Sequence, residues 1–301
     1  MEAQIKTVLG TAKLRPTGQY GGGCINQGEV YETDTGKVFI KTNHKPGARV
    51  MFEGEMASLE AIRSTQTVRV PRPLHVVFDQ EHPDRGWGAA LIMEALEMTG
   101  SRRGRARELG VNLAKMHDHN RILLNNGDLL AERRFGFPVT TCCGALPLDN
   151  SWKDDWISFY AQNRIEPQVK MLEEKGENSQ VRTLWNQLEK KLPEFFTGIE
   201  IVPALLHGDL WSGNKAELAD EPVIFDPASF FGHAEFDFGI MQMFGGFGNE
   251  FYDGYHSVQP KQEGFEHRRD LYELFHHLNH WNHFGSGYKG STIAMLKRLL
   301  K

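Results

Sequence analysis

The run His207-Gly208-Asp209-Leu210-Trp211-Ser212-Gly213-Asn214, with Asp226-Pro227-Ala228 beyond it, constrains this chain more than any other stretch. It sets a carboxylate five residues ahead of a carboxamide, and a second carboxylate twelve residues further on. That order serves phosphoryl transfer. Asp209 would accept the proton of an acceptor hydroxyl, while Asn214 and Asp226 would hold the Mg2+ ions that bridge a nucleotide's phosphates. The apolar runs Pro203-Ala204-Leu205-Leu206 and Val223-Ile224-Phe225 read as short buried strands, which would leave the polar residues at strand ends on a rigid support. An isolated His-Gly-Asp would be no more than a turn with a capping aspartate. The complete run carries the chemistry.

The first third of the chain supplies the other parts such a site needs. Gly21-Gly22-Gly23-Cys24 precedes two apolar runs, Val30 to Thr33 and Lys37 to Lys41, joined by the turn Asp34-Thr35-Gly36. This reads as a glycine loop and a hairpin. Gly22 and Gly23 would let the backbone approach ATP phosphates, although the G-x-G-x-x-G spacing of the kinase loop is not met. Lys41 ends a Val-Phe-Ile-Lys strand, the place of the kinase lysine that pairs with those phosphates. From Arg49 to Arg63, Phe52, Met56, Leu59 and Ile62 share one helical stripe. Glu55 lies within the stripe and Glu53 to its side. A carboxylate on an apolar face needs a partner, so Glu55 is expected to hold Lys41.

Further strands are expected at Leu74 to Val77, within a proline-bounded stretch that starts at Val68, and at Gly88 to Met93. Glu94 to Met98 follows where the strand-rich pattern stops and helical patterns begin. It is read as a hinge, with the Glu94 carbonyl and the Leu96 amide facing the adenine edge. The boundaries are then 1–93 for a nucleotide-binding lobe, 94–98 for the hinge and 99–301 for a helical catalytic and substrate lobe. Helices are expected over Glu108 to His119, Asp154 to Leu172 and Ser179 to Leu192, with Pro193 breaking the third, and then from Ser229 through Phe244 and from Arg268 to Phe284. His117 reads as a core or surface histidine.

The segments HGDLWSGN, DPASFFGHAEFDFGIMQMFGGF and NHWNHFG resemble fructosamine-3-kinase and its relatives, the ketosamine-3-kinases, within the aminoglycoside-phosphotransferase and protein-kinase-like superfamily. The resemblance runs from about Thr17 to the C-terminus and is weakest between about Asp79 and Ala106. It implies an α+β bilobal protein-kinase-like fold, with an antiparallel N-lobe sheet, one main N-lobe helix and a larger helical C-lobe. It also implies an ATP- and Mg2+-dependent kinase that phosphorylates the sugar 3-hydroxyl of glycated proteins or ketosamine small molecules. Trp211 and His280 resemble walls of the sugar site, and Asp237 resembles the acid that braces the catalytic loop. The departure at Thr99 to Arg107 leaves the rim after the hinge open. A choline, homoserine or aminoglycoside kinase would keep the catalytic residues and change Trp211 and the C-terminal aromatics. A pseudokinase scaffold would normally have lost Lys41, Asp209, Asn214 or Asp226, and all four are present.

Charge and composition exclude other classes. With 34 basic and 39 acidic residues, the net charge of -5 argues against nucleic acid as partner. The basic run Arg102 to Arg107 is short and flanked by acids, hence a solvated face. No apolar stretch is long enough to span a bilayer and the N-terminus has no signal-peptide core, so a cytoplasmic location is expected. Three cysteines do not make a disulfide framework, and their spacing is not that of a zinc site. Cys142-Cys143 reads as a packed pair. Cys24, in a glycine loop, is a candidate redox switch that would lock a homodimer through a disulfide, the reduced form being monomer or dimer. His276, His280 and His283 have the spacing of a metal face, yet the sequence implies no acidic or cysteine ligand beside them.

Overall fold

A computed structural model of the chain describes residues 1–21, 26–78, 88–99, 104–177 and 179–301. Strands β1 (Arg15–Gly21), β2 (Gln27–Thr33), β3 (Gly36–Asn43), β4 (Pro73–Phe78) and β5 (Ala89–Glu94) form one antiparallel sheet in the order β1-β2-β3-β5-β4. Alternation along β3 gives the sheet two different faces. Val38 and Ile40 join Ala90 and Ile92 of β5 in a small apolar cluster, closed by Ile5 of helix α1 (Glu2–Leu9). On the other face Leu91 and Met93 meet Phe52, Leu59 and Ile62 of helix α2 (Ala48–Ser64), and Lys41 is buried there. Burying each such side chain is worth about 1.5–3 kcal/mol, so this stripe fixes the helix against the strand that carries the lysine. Glu53 turns outward to Arg49, 2.7 Å away.

The rest of the chain is mainly helical: α3 (Ala106–Asn125), α4 (Trp156–Phe159), α5 (Glu166–Glu174), α6 (Ser179–Phe195), α7 (Asp237–Phe244), α8 (Asn249–His256), α9 (Phe265–Phe284) and α10 (Lys289–Leu299). Three two-stranded ribbons position the site. They pair β6 (Cys142–Cys143) with β7 (Leu146–Pro147), β8 (Ala204–Leu205) with β11 (Phe231–Gly232), and β9 (Lys215–Glu217) with β10 (Pro222–Ile224). Helix α7 crosses α9 closely because Gly239 has no side chain. A Cβ there would stand 2.6 Å from the carbonyl carbon of Tyr272. Among the described residues no helix is long and apolar enough to cross a membrane.

Three expectations from the sequence need correction, and one helix had none. Pro193 does not break its helix, which continues to Phe195. In the last turn proline forfeits one backbone bond near a terminus that is ending anyway. The helix expected from Asp154 to Leu172 is interrupted by a π-helical segment, Tyr160–Ile165, between α4 and α5. There Arg164 is drawn inward, stacked 4.4 Å from Phe159 and 3.9 Å from Phe230, and donates to Asn150 Oδ1 at 2.7 Å. Burial pulls its pKa down to about 9 against the charge of Asp149. The stretch from Ser229 is not helical until Ala234, because Phe231 and Gly232 pair with β8 and only a 3-10 turn, Ala234–Phe236, precedes α7. Helix α1 had no sequence expectation, since Ile5 is its single buried residue.

Candidate active site

The site is built on the turn between β8 and the short 3-10 segment Ser212–Asn214. Here the backbone doubles back on itself, with Gly208 at φ +84. Only glycine suits this position, because an added Cβ would collide with the carbonyl oxygen of Ala228. The turn is held from below by one buried carboxylate. Asp237 accepts from the backbone amides of His207 at 2.9 Å and Gly208 at 2.7 Å. It also accepts from His117 Nε2 at 3.0 Å, and Nδ1 of that ring pairs with Tyr255 Oη at 2.8 Å. Burial alone would raise the Asp237 pKa, but these donors and the histidine charges around it hold the group below the ordinary carboxylate range.

A second tie joins this turn to the segment after β10. His207 Nε2 donates to the carbonyl of Phe225 at 2.9 Å, and the Ala228 amide donates back to the His207 carbonyl at 2.8 Å. Between these contacts Asp226 adopts φ +59, a conformation that non-glycine residues rarely take. Such strain persists only where the surroundings over-determine it. Asn214 is buried, and its Nδ2 donates to the Asp209 carbonyl at 2.8 Å, so its oxygen is the atom left to offer a ligand.

Lys41 stands opposite. Its Nζ lies 2.7 and 2.9 Å from the two oxygens of Glu55 and 2.8 Å from Asp226 Oδ1. Burial acts to lower the lysine pKa, yet the carboxylates of Asp226 and Glu55 outweigh it and keep the ammonium charged. For Glu55, burial pushes the pKa up, Lys41 pulls it down and Asp226 pushes it up again. The net shift is upward, to about 7, so burial outweighs the pull of the lysine. Asp209 is half-buried, and desolvation, with the negative charge of Asp226 beside it, raises its pKa well above the usual value. The Cys143 thiol donates a hydrogen bond to it.

These groups share one cavity of about 330 Å³, lined by Lys41, Glu55, Asp209, Asn214 and Asp226 together with an aromatic wall. In that wall the ring of Phe244 is 5.7 Å from Trp211 and 5.2 Å from His280, which is 5.2 Å from Tyr288. A buried ammonium and two metal-competent oxygens suit polyphosphate. A carboxylate of raised pKa can take a proton, and aromatic faces suit the apolar side of a sugar.

Of the residues expected from sequence, Lys41, Glu55, Asp209, Trp211, Asn214, Asp226 and His280 lie around this cavity. Glu94 and Leu96 do not line it. The Glu94 side chain takes Arg69 at 2.6 Å and the Arg72 amide at 3.1 Å, and the Leu96 carbonyl accepts from Met98 at 3.1 Å. Gly22, Gly23 and Cys24 lie outside the described residues. Sequence reasoning missed Phe244 and Tyr288 as wall residues, and Cys143, whose thiol faces Asp209. The exposed aromatic at the end of a helix, Phe244, was the available signal.

The profile of one family, described as fructosamine kinase, matches residues 1–301. A ketosamine-3-kinase of Mus musculus is 50% identical over 315 aligned residues, covering 100% of each chain. A chloroplastic protein-ribulosamine 3-kinase of Arabidopsis thaliana is 43% identical over 290 residues, 96% of this chain and 84% of that one. A candidate fructosamine-3-kinase structure from Thermobifida fusca superimposes with a TM-score of 0.81 at 26% identity, over 99% of this chain and 97% of that one. At 11% identity, an aminoglycoside phosphotransferase solved with AMP-PNP and hygromycin B has the same bilobal kinase-like fold, with a TM-score of 0.61 over 100% of this chain and 97% of that one.

Proposed function

Because the chain belongs to the fructosamine kinase family, we propose that it is an ATP-dependent ketosamine 3-kinase in which Asp209 is the catalytic base. The acceptors are ketosamine adducts on lysines of glycated proteins or on small amines. Supporting this is one observation: the cavity that joins Lys41, Glu55, Asp209, Asn214 and Asp226 continues along Trp211 and His280.

The sugar lies against Trp211 and His280, which orient its 3-hydroxyl toward Asp209. Asp209 accepts the hydroxyl proton as the oxygen attacks the γ-phosphate and the bond to the β-γ bridging oxygen breaks, leaving ADP. Because burial and Asp226 raise its pKa, Asp209 is a stronger base than a solvated aspartate. Lys41 binds the phosphates, held in place by Glu55. Incoming phosphates compete with Asp226 for this lysine, whose contact at 2.8 Å then opens. Asn214 and Asp226 offer a carboxamide and a carboxylate oxygen, a hard donor set suited to Mg2+. A Mg2+ ion held there would neutralise phosphate charge. Residues 1–93 and 99–301 act as the two lobes, and Glu94 and Leu96 contact adenine through backbone groups. Phosphorylation at C3 makes the ketosamine prone to eliminate phosphate and release the amine, which is deglycation. Cys24 dimerises the enzyme on oxidation, and a Cys24-dependent dimer on a non-reducing gel after peroxide is the expected sign.

The test is ATP consumption by the reduced protein with ribulose-lysine, fructose-lysine, choline and an aminoglycoside. Turnover on a ketosamine is expected. Turnover confined to choline or the aminoglycoside would overturn the substrate assignment and leave the kinase assignment standing.

A further inference from the structure

The histidine spacing on α9 does not make the metal face it suggests. His280 Nδ1 bonds the His276 carbonyl at 2.8 Å, and His283 uses both nitrogens, Nδ1 on the Asn279 carbonyl at 2.9 Å and Nε2 on the Ala145 amide at 2.9 Å. His276 turns elsewhere. It is fully buried, and neither Nδ1 nor Nε2 has a hydrogen-bond partner. Leaving a buried polar atom unpaired costs about 1–3 kcal/mol, so this ring needs an explanation that packing against Phe236 and Phe275 does not supply.

The fold brings to this ring the acidic and thiol groups that the local sequence lacks. One ligand atom each of Cys143, Asp209 and His276 lie within 4.8 Å of one another. The three come from β6, the turn after β8, and α9, and the first two are braced by hydrogen bonds. The β6 segment is pinned by a buried chain in which Asn150 Nδ2 donates to Thr141 Oγ1 at 2.9 Å and Thr141 Oγ1 donates to the Ser229 carbonyl at 3.2 Å. Asp209 is fixed by the turn held on Asp237. Cys143 and Asp209 also line the cavity, which gives an ion a path inward.

From this we infer that Cys143, Asp209 and His276 form a three-ligand site for Zn2+, open to the cavity at its fourth position and distinct from the Asn214 and Asp226 pair. A thiolate, an imidazole and a carboxylate are the donors zinc takes in tetrahedral sites, at about 2.0–2.3 Å. Mg2+ takes oxygen ligands only. On binding, the Cys143 thiol proton passes to solvent, and the thiol exchanges its hydrogen bond to Asp209 for a bond to zinc. An ion in this place occupies the carboxylate that receives the hydroxyl proton, so Zn2+ inhibits transfer. The inhibition rests on the proposed role of Asp209, whereas the binding does not.

Titration of the full chain in excess Mg2+ with Co2+, followed by displacement with Zn2+, tests the site. One Co2+ per chain with a thiolate-to-metal charge-transfer absorption is expected. The band should vanish in Cys143→Ser and Cys143→Ala and persist in Cys142→Ser. Zn2+ affinity should fall about 100-fold or more in Cys143→Ser and His276→Gln, beyond the 10–100-fold that loss of an outer-sphere partner costs. Thermal melts of each variant verify folding. Unchanged Zn2+ affinity in Cys143→Ser, or a band that survives it, overturns the site. Zn2+ that binds through Cys143 and leaves turnover intact supports the site and overturns the role of Asp209.

Discussion

Replacing Asp237 by asparagine removes the negative charge under the catalytic turn while keeping its shape. The carboxylate is 1% exposed and accepts three hydrogen bonds, from His207 N, Gly208 N and His117 Nε2. A carboxamide has one oxygen, so at least one backbone N–H must face its NH2 group. The loss is one hydrogen bond to a charged acceptor, about 1.5–3 kcal/mol, plus an unsatisfied buried donor at about 1–3 kcal/mol. A destabilisation of about 2.5–6 kcal/mol follows. With the turn no longer fixed, Asp209 shifts, and a displacement of the order of 1 Å costs about 100-fold in turnover. Urea denaturation and a coupled ADP assay measure the two effects. The pH dependence has a definite sign. Burial would raise the Asp237 pKa, but its donors bring the folded value below the unfolded one. Its contribution is therefore complete above about pH 4 and is lost as pH falls through the folded value. The gap between wild type and Asp237→Asn should be flat at neutral pH and close in acid. A stability loss under about 1 kcal/mol with unchanged turnover would refute the reasoning.

Gly208→Ala should destabilise by more than about 2 kcal/mol, since it combines a left-handed residue with a backbone collision, and should abolish turnover; a near-neutral melting temperature would contradict the turn geometry. Lys41→Met leaves the carboxylates of Glu55 and Asp226 without their cation. Breaking a buried pair costs about 3–5 kcal/mol, and calorimetry should show ATP binding lost, with retained ATP affinity removing Lys41 from the phosphate site. Trp211→Ala should raise KM for a ketosamine about tenfold, within the range of a lost aromatic contact, and leave KM for ATP unchanged. Equal shifts in both constants would take Trp211 out of the sugar wall.

Much of the site was legible because its parts are local. Asp209, Asn214 and Asp226 declare themselves by spacing, Lys41 by ending a Val-Phe-Ile-Lys strand after a glycine loop, and Glu55 by sitting on an apolar stripe where only a partnered carboxylate survives. What was not legible depends on contacts between distant segments. His117 and Asp237 are 120 residues apart, and nothing near His117 distinguishes it from an ordinary core histidine. Cys143 looks like packing until the β6 ribbon sets it against Asp209. The spacing on α9 signalled metal ligands at His276, His280 and His283, but backbone carbonyls and the Ala145 amide occupy two of them, and His276 is left to face residues from other elements. The π segment is similarly invisible, because it exists to seat Arg164 between Phe159 and Phe230.

The most direct test of the central claim is phosphorus NMR of the product formed from ATP and ribulose-lysine by the wild-type protein and by Asp209→Ala. The account predicts a phosphomonoester on C3 with the wild type, and about 100-fold to 10,000-fold slower formation with the variant, which still binds ATP. Phosphate on another carbon, or an Asp209→Ala enzyme with unreduced turnover, would contradict it.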